Sequence, residues 1–191
     1  GVAIPDKVAI MGGSYGGYAT LVGLTYTPDT FACGVDIVGP SNLETLLSTI
    51  PPYWAPVVAQ FHERMGNPNT PEGKQLLIDA SPLYKADQIV KPLLIGQGAN
   101  DPRVNQAESD QIVEAMKAKN IPVTYVLFPD EGHGFAKPSN NIAFNAVTEN
   151  FLATCLGGRA EPIADTIEES TAQIEEGADF VQGLKAAIDA D

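Results

Sequence analysis

The sequence predicts an α/β fold, a parallel sheet with helices on both faces. Two observations carry this. From Lys7 to Leu156 short apolar runs alternate with segments of helical spacing, the order that feeds parallel strands through helical crossovers. A serine, an aspartate and a histidine each follow one of the apolar runs, and the carboxyl ends of strands are where open α/β sheets collect functional groups. A chain of 191 residues, 44% hydrophobic and 7% aromatic, holds one domain with a sizeable core.

Residues 8–11 form the first strand and the segment through Tyr26 the first helix, so Ser14 falls at a strand-to-helix turn. Gly12-Gly13-Ser14-Tyr15-Gly16 fits G-x-S-x-G, whose glycines tolerate the strained turn that lifts a serine oxygen clear of the sheet. The helix ends at Thr27-Pro28-Asp29, because proline cannot continue it. Residues 31–38 read as a buried strand bounded by Gly39-Pro40, with Ser41 capping a short helix through Leu47. Asp36, inside that strand, is a minor candidate for a catalytic acid, set against a hydrogen-bonded structural aspartate.

Residues 50–74 are rich in proline and aromatics, including Tyr53 and Trp54. Two readings stand side by side: a lid over a pocket, or a surface excursion anchored by its aromatics. His62, on a helical stretch without a ligand cluster, reads as an exposed or partly packed side chain. Residues 93–96 form a strand running into a loop that ends at Asp101, and residues 105–119 an amphipathic covering helix. Residues 123–128 form another strand, followed by Pro129-Asp130-Glu131-Gly132-His133-Gly134, and residues 140–156 a last helix. The body therefore spans 1–157. Residues 158–191 form an acidic tail of helix-forming composition, packed on the body or left solvated.

The order Ser14, Asp101, His133, each in a post-strand position, is that of α/β-hydrolases. A serine hydroxyl is a poor nucleophile near neutral pH and needs a base, which histidine supplies. Histidine needs an acceptor to fix its tautomer, which Asp101 supplies. Of the two histidines only His133 has glycines on both sides and a strand before it. Asp130 and Glu131 are rival acids, but loop residues adjacent to a histidine rarely curl back behind its ring. The N–H of Tyr15 is the expected oxyanion donor.

The net charge of -13 argues against nucleic acid as a partner. The tail from Glu161 holds nine acids against Lys185 alone, leaving the body mildly acidic. No apolar run is long enough to cross a bilayer, and no targeting signal is visible, so membrane association is not expected and the compartment stays open between cytoplasm and export. Cys33 and Cys155 lack metal-ligand spacing and read as buried free thiols. No metal or other cofactor is called for.

Met11 to Tyr18, Asp101-Pro102-Arg103-Val104 and Gly132-His133-Gly134-Phe135 together resemble the catalytic domain of the prolyl oligopeptidase family of serine peptidases, nearest its acylaminoacyl-peptidase and dipeptidyl-peptidase-like branches. The resemblance covers residues 5–157. It implies an α/β-hydrolase fold of which this chain holds the second half of the sheet, and cleavage of short peptides through an acyl-enzyme. It also implies that Arg103, with Val104 in the same motif, binds substrate, and that Tyr53 and Trp54 help line the pocket for the residue before the scissile bond. The strands preceding the elbow and the loop supplying a second oxyanion group are expected in an N-terminal part of the same enzyme. The elbow strand then offers an unpaired edge through which the chain associates with that part or with a second copy. A carboxylesterase using the same triad on esters, and an inactive fragment or interaction module, are the alternatives.

Overall fold

The computed structural model describes residues 1–189; residues 190–191 of the tail lie outside the described residues. The first four strands, β1 (Ala9–Gly13), β2 (Cys33–Ile37), β3 (Leu93–Gly98) and β4 (Val123–Phe128), run parallel and lie side by side in chain order. Helices α1 (Tyr15–Tyr26) and α5 (Gln106–Lys117) return the chain from β1 to β2 and from β3 to β4. Between β2 and β3 the chain makes its long excursion through α2 (Leu43–Ser48), α3 (Val58–Arg64) and α4 (Pro71–Ala80). Helix α6 (Pro138–Leu156) follows β4.

Alternation along each strand builds two separate cores. Leu93, Ile95, Val123, Tyr125 and Leu127 face Leu21 and Leu24 of α1 and Ile112, Val113 and Met116 of α5. Leu94, Val126 and Phe128 point the other way, onto Ala143, Phe144, Val147 and Phe151 of α6. A sheet buried on both faces explains why β3 and β4 are buried along their whole length. Strand β1 differs: it lies at the edge of the sheet, and Met11 keeps half of its surface exposed.

Local signals set the helix ends. Thr70 accepts from the Gly73 N–H at 3.1 Å ahead of Pro71, the first residue of α4. Helix α6 opens on Pro138 and stops at Gly157, which takes the left-handed conformation (φ 71°). The cap of α2 is Asn42, whose side chain accepts from Glu44 N–H at 3.0 Å, and not Ser41. Ser41 is fully buried and turns its hydroxyl to the backbone oxygen of Glu108.

Two further expectations are corrected. Cys33 and Cys155 are joined in a disulfide, not free, with Cα atoms 6.3 Å apart across 122 positions of sequence. Pairing between a strand and a helix that distant leaves no mark in cysteine spacing. The tail does not form one helix. It lays down a short strand, β5 (Gln173–Glu176), antiparallel to β4, and a single-turn helix, α7 (Leu184–Ile188). Turns at Gly177 and Gly183, both at positive φ, interrupt any longer helix, and Ile163, Ile167, Val181 and Leu184 are spent covering the α6 core. No helix among the described residues is long and apolar enough to cross a membrane.

Candidate active site

Ser14 sits between the last residue of β1 and the first of α1, at φ 57° and ψ -117°. A non-glycine residue persists in so sparsely populated a conformation only where its surroundings impose it. They do so here: the Ser14 N–H donates to Ile37 O at 2.8 Å, and its carbonyl accepts from Tyr18 N–H at 3.0 Å. The turn is tight enough that a Cβ on Gly12 would lie 2.5 Å from the Gly16 carbonyl. Tyr15 begins α1, directly after Ser14, so its N–H has no acceptor within the helix.

The loops after β3 and β4 bring Asp101 and His133 to this turn. His133 Nε2 lies 2.8 Å from Ser14 Oγ, and His133 Nδ1 lies 2.7 Å from Asp101 Oδ2. The other carboxylate oxygen, Oδ1, accepts from the N–H groups of Arg103 and Val104 at 2.8 and 3.0 Å. With one oxygen fixed by backbone, the second has a single direction left, toward the imidazole. The aspartate side chain is wholly buried and the histidine largely so, which strengthens the charge-assisted bond between them.

The two loops also hold each other. Asn100 donates its N–H to Glu131 O at 2.9 Å and its side-chain amide to Pro129 O at 2.7 Å. Glu131 is buried and accepts from the Ala136 and Lys137 N–H groups and from Asn140 Nδ2, so it braces the histidine loop from behind. Asp130 is turned outward to Lys137, Thr171 and Asn140, and the Lys137 bond, ahead of the others, lowers its pKa to about 2. Neither acid reaches the ring of His133.

Asp36 lies on β2 beneath the elbow, wedged against Gly17 and Gly39, fully buried. Burial pushes its carboxyl well above the usual range, with the Gly39 N–H opposing weakly, and neither oxygen has a well-formed hydrogen bond. Among the described residues the ring of His133 bonds to Asp101 and Ser14, not to Asp36. His62 is a partly buried side chain in the last turn of α3. Among the described residues no group of His, Cys, Asp or Glu is arranged to hold a metal ion.

A cavity of about 360 Å³ opens beside Ser14. Tyr18, Leu43, Leu46, Leu47, Ile50, Trp54, Phe61, Met65 and Val104 give it an apolar lining, with Arg64 the one charged residue in the wall. Trp54 packs its ring 5.6 Å from that of Phe61. Tyr53 is not part of this wall: it is 56% exposed and meets Trp54 edge-on from outside. The proline-rich excursion therefore both covers the cavity and anchors on the surface, through adjacent residues. Arg103 is exposed and pairs with no carboxylate among the described residues, while its neighbour Val104 is buried in the cavity wall. Tyr18, Leu43, Leu46, Phe61 and Met65 are lining residues that the sequence reading does not single out. The spacing of Leu43, Leu46 and Leu47 marks one face of a helix, but not what that face encloses. A larger hollow of about 630 Å³, between α6 and the tail, shares no lining residue with this site.

A serine oxygen, an imidazole and a carboxylate in this order form the apparatus of acyl transfer. The sequence model of the prolyl oligopeptidase family matches residues 1–159. The chain is 72% identical over 188 residues to dipeptidyl aminopeptidase BIII of Pseudoxanthomonas mexicana, covering 98% of this chain and 27% of that one. It is 56% identical over 163 residues to dipeptidyl peptidase family member 6 of Caenorhabditis elegans, covering 85% of this chain and 22% of that one. A puromycin-hydrolyzing peptidase of Mycobacterium tuberculosis superposes with a TM-score of 0.75 at 30% identity, over 83% of this chain and 23% of its own. The chain thus spans about a quarter of the length of the curated relatives it matches.

Proposed function

The chain belongs to the prolyl oligopeptidase family, and on that premise we propose that it is the part of the catalytic domain, carrying the nucleophile elbow, of a serine peptidase that cleaves short peptides. The observation that carries the reading is the unbroken hydrogen-bond chain from Ser14 through His133 to Asp101. His133 Nε2 takes the proton of Ser14 Oγ as that oxygen attacks the scissile carbonyl carbon. The developing oxyanion meets the N–H of Tyr15. Collapse expels the amine, which leaves with the proton held on His133. Water then repeats the sequence on the acyl-enzyme, with His133 again the base and Asp101 holding the imidazolium throughout.

The apolar cavity receives the side chain before the scissile bond, and Arg103, exposed beside it, binds a substrate carbonyl. A second oxyanion donor comes from an N-terminal segment of the same enzyme, which also covers the open edge of β1. Without it turnover falls by about 100- to 1000-fold. The test uses the full-length protein. Peptide anilides and matched esters are assayed beside labelling by a fluorophosphonate, in wild type and Ser14→Ala. Peptide turnover and labelling that both vanish in Ser14→Ala support the proposal. Turnover of esters alone points to a carboxylesterase, and no labelling to an inactive module.

A further inference from the structure

Glu108 stands apart from both the hydrogen-bond chain at Ser14 and the cavity lining, yet it is 2% exposed and fully engaged. It lies in the first turn of α5, four residues beyond Val104. Its Oε2 accepts from the N–H groups of Ser41 and Asn42 at 3.0 and 2.8 Å and from Gln111 Nε2 at 3.0 Å. Its Oε1 accepts from the Thr45 hydroxyl, and its backbone oxygen from the Ser41 hydroxyl at 2.6 Å. Apart from Gln111, every partner of the carboxylate belongs to residues 41–45, the segment that follows Pro40 and carries Leu43, Leu46 and Leu47 into the cavity wall. On its other side this segment is tied to α4: Leu43 N–H donates to Ser81 Oγ at 2.8 Å, and that hydroxyl donates to Leu77 O. A buried carboxylate is tolerated only when its lone pairs are taken up, and a fully satisfied network of this kind holds its members in one arrangement.

We propose that Glu108 is a positioning residue for substrate selection, fixing the apolar wall of α2 at a set distance from Val104 and the acid loop that follows β3. The inference rests on the reading that this cavity takes the side chain before the scissile bond. In Glu108→Ala the Ser41 and Asn42 N–H groups lose their buried acceptor, and relief comes by moving the wall. The bonds joining Ser14, His133 and Asp101 do not involve Glu108, so the nucleophile keeps its reactivity.

The experiment compares peptide anilides with alanine, leucine or phenylalanine before the scissile bond, in the full-length protein, alongside the rate of fluorophosphonate labelling. Glu108→Ala is expected to lower the phenylalanine-to-alanine ratio of kcat/KM by about tenfold or more, mainly through KM. Labelling should stay within about threefold of wild type. Glu108→Gln keeps one acceptor oxygen and should recover part of the ratio. A loss of folded protein alone lowers turnover of every substrate equally and leaves the ratio untouched. If Glu108→Ala does not fold, Glu108→Gln and Thr45→Val, each weakening one arm of the network, carry the same comparison. An unchanged ratio in folded variants overturns the proposal. A wild-type enzyme indifferent to apolar side chains overturns instead the reading of the cavity on which it stands.

Discussion

His133 Nε2 approaches Ser14 Oγ to 2.8 Å although the two residues stand 119 positions apart. Nothing local to either loop produces the bond; it is the product of four strands in register. Ser14→Ala or His133→Ala should each reduce kcat on a peptide anilide on the order of a million-fold, and the double variant should be no worse. Asp101→Asn, which keeps the shape but offers the wrong tautomer partner, should cost about ten-thousand-fold. Additive losses in the double variant would show that the two residues do not act as one unit.

Trp54 and Tyr53 are neighbours with opposite expectations. Trp54 closes the cavity wall against Phe61, whereas Tyr53 lies outside it. Trp54→Ala should lower kcat/KM for substrates with a large apolar side chain by about 10- to 100-fold. Tyr53→Ala should change it by less than about threefold. Steady-state kinetics of the two variants on one substrate decides the matter, and equal effects would contradict the assignment of Trp54 alone to the wall.

Arg103 donates its N–H to Asp101 and leaves its guanidinium exposed. Arg103→Ala should raise KM for peptides about tenfold or more, as expected for a lost charge-assisted bond, and leave thermal stability unchanged within about 0.5 kcal/mol. Equal KM values for the variant and wild type would remove Arg103 from substrate binding.

The Cys33–Cys155 disulfide closes 122 positions of chain and ties β2 to α6. Its loss should cost about 2–5 kcal/mol, a fall in Tm on the order of 10 °C for a domain of this size. Melting with and without reductant, and thiol titration of the unfolded protein without reductant, check this. Two titratable thiols in the untreated protein would refute the pairing.

Asp36 has its folded pKa raised well above the ordinary value by burial. In the unfolded chain its carboxyl titrates near pH 4, about the value of a free aspartate. Above that pH the unfolded state has released a proton that the native state keeps, so this group's contribution falls as pH rises until the folded pKa is passed. Asp36→Asn removes the slope: its Tm should match wild type near pH 4 and exceed it at pH 8, each kcal/mol giving about 2–4 °C. Parallel Tm profiles for the two proteins would mean that Asp36 is not held neutral.

How much of this could be read without coordinates depended on whether a signal is local. The strand ending before Pro129 is legible to the residue, since a run of β-branched and large apolar residues extends from Val123 to Phe128 between clear breakers. Ser14, Asp101 and His133 are legible because each sits in a short loop whose glycines or acids have few other uses. Glu108 is not, because an acid in an amphipathic helix normally faces water, and only the approach of residues 41–45 makes it a core residue. The same applies to Cys33 with Cys155, and to the tail, whose isoleucines suit a helix as well as the covering role they serve. Adjacent Tyr53 and Trp54 part company through the turn of one short 3-10 segment (Pro52–Val57).

The two outer strands of the sheet are unequal. Beyond β4 lies β5, four residues long, carrying Glu175 and Glu176 and bent by a register shift against its neighbour; short, charged and irregular, it is a poor template for another strand. At the opposite side β1 is regular and uncharged. A sheet with one terminated side accepts backbone pairing in one direction only. The N-terminal segment proposed to cover β1 therefore has a single place to add its strand, and does not settle by mistake beside β5.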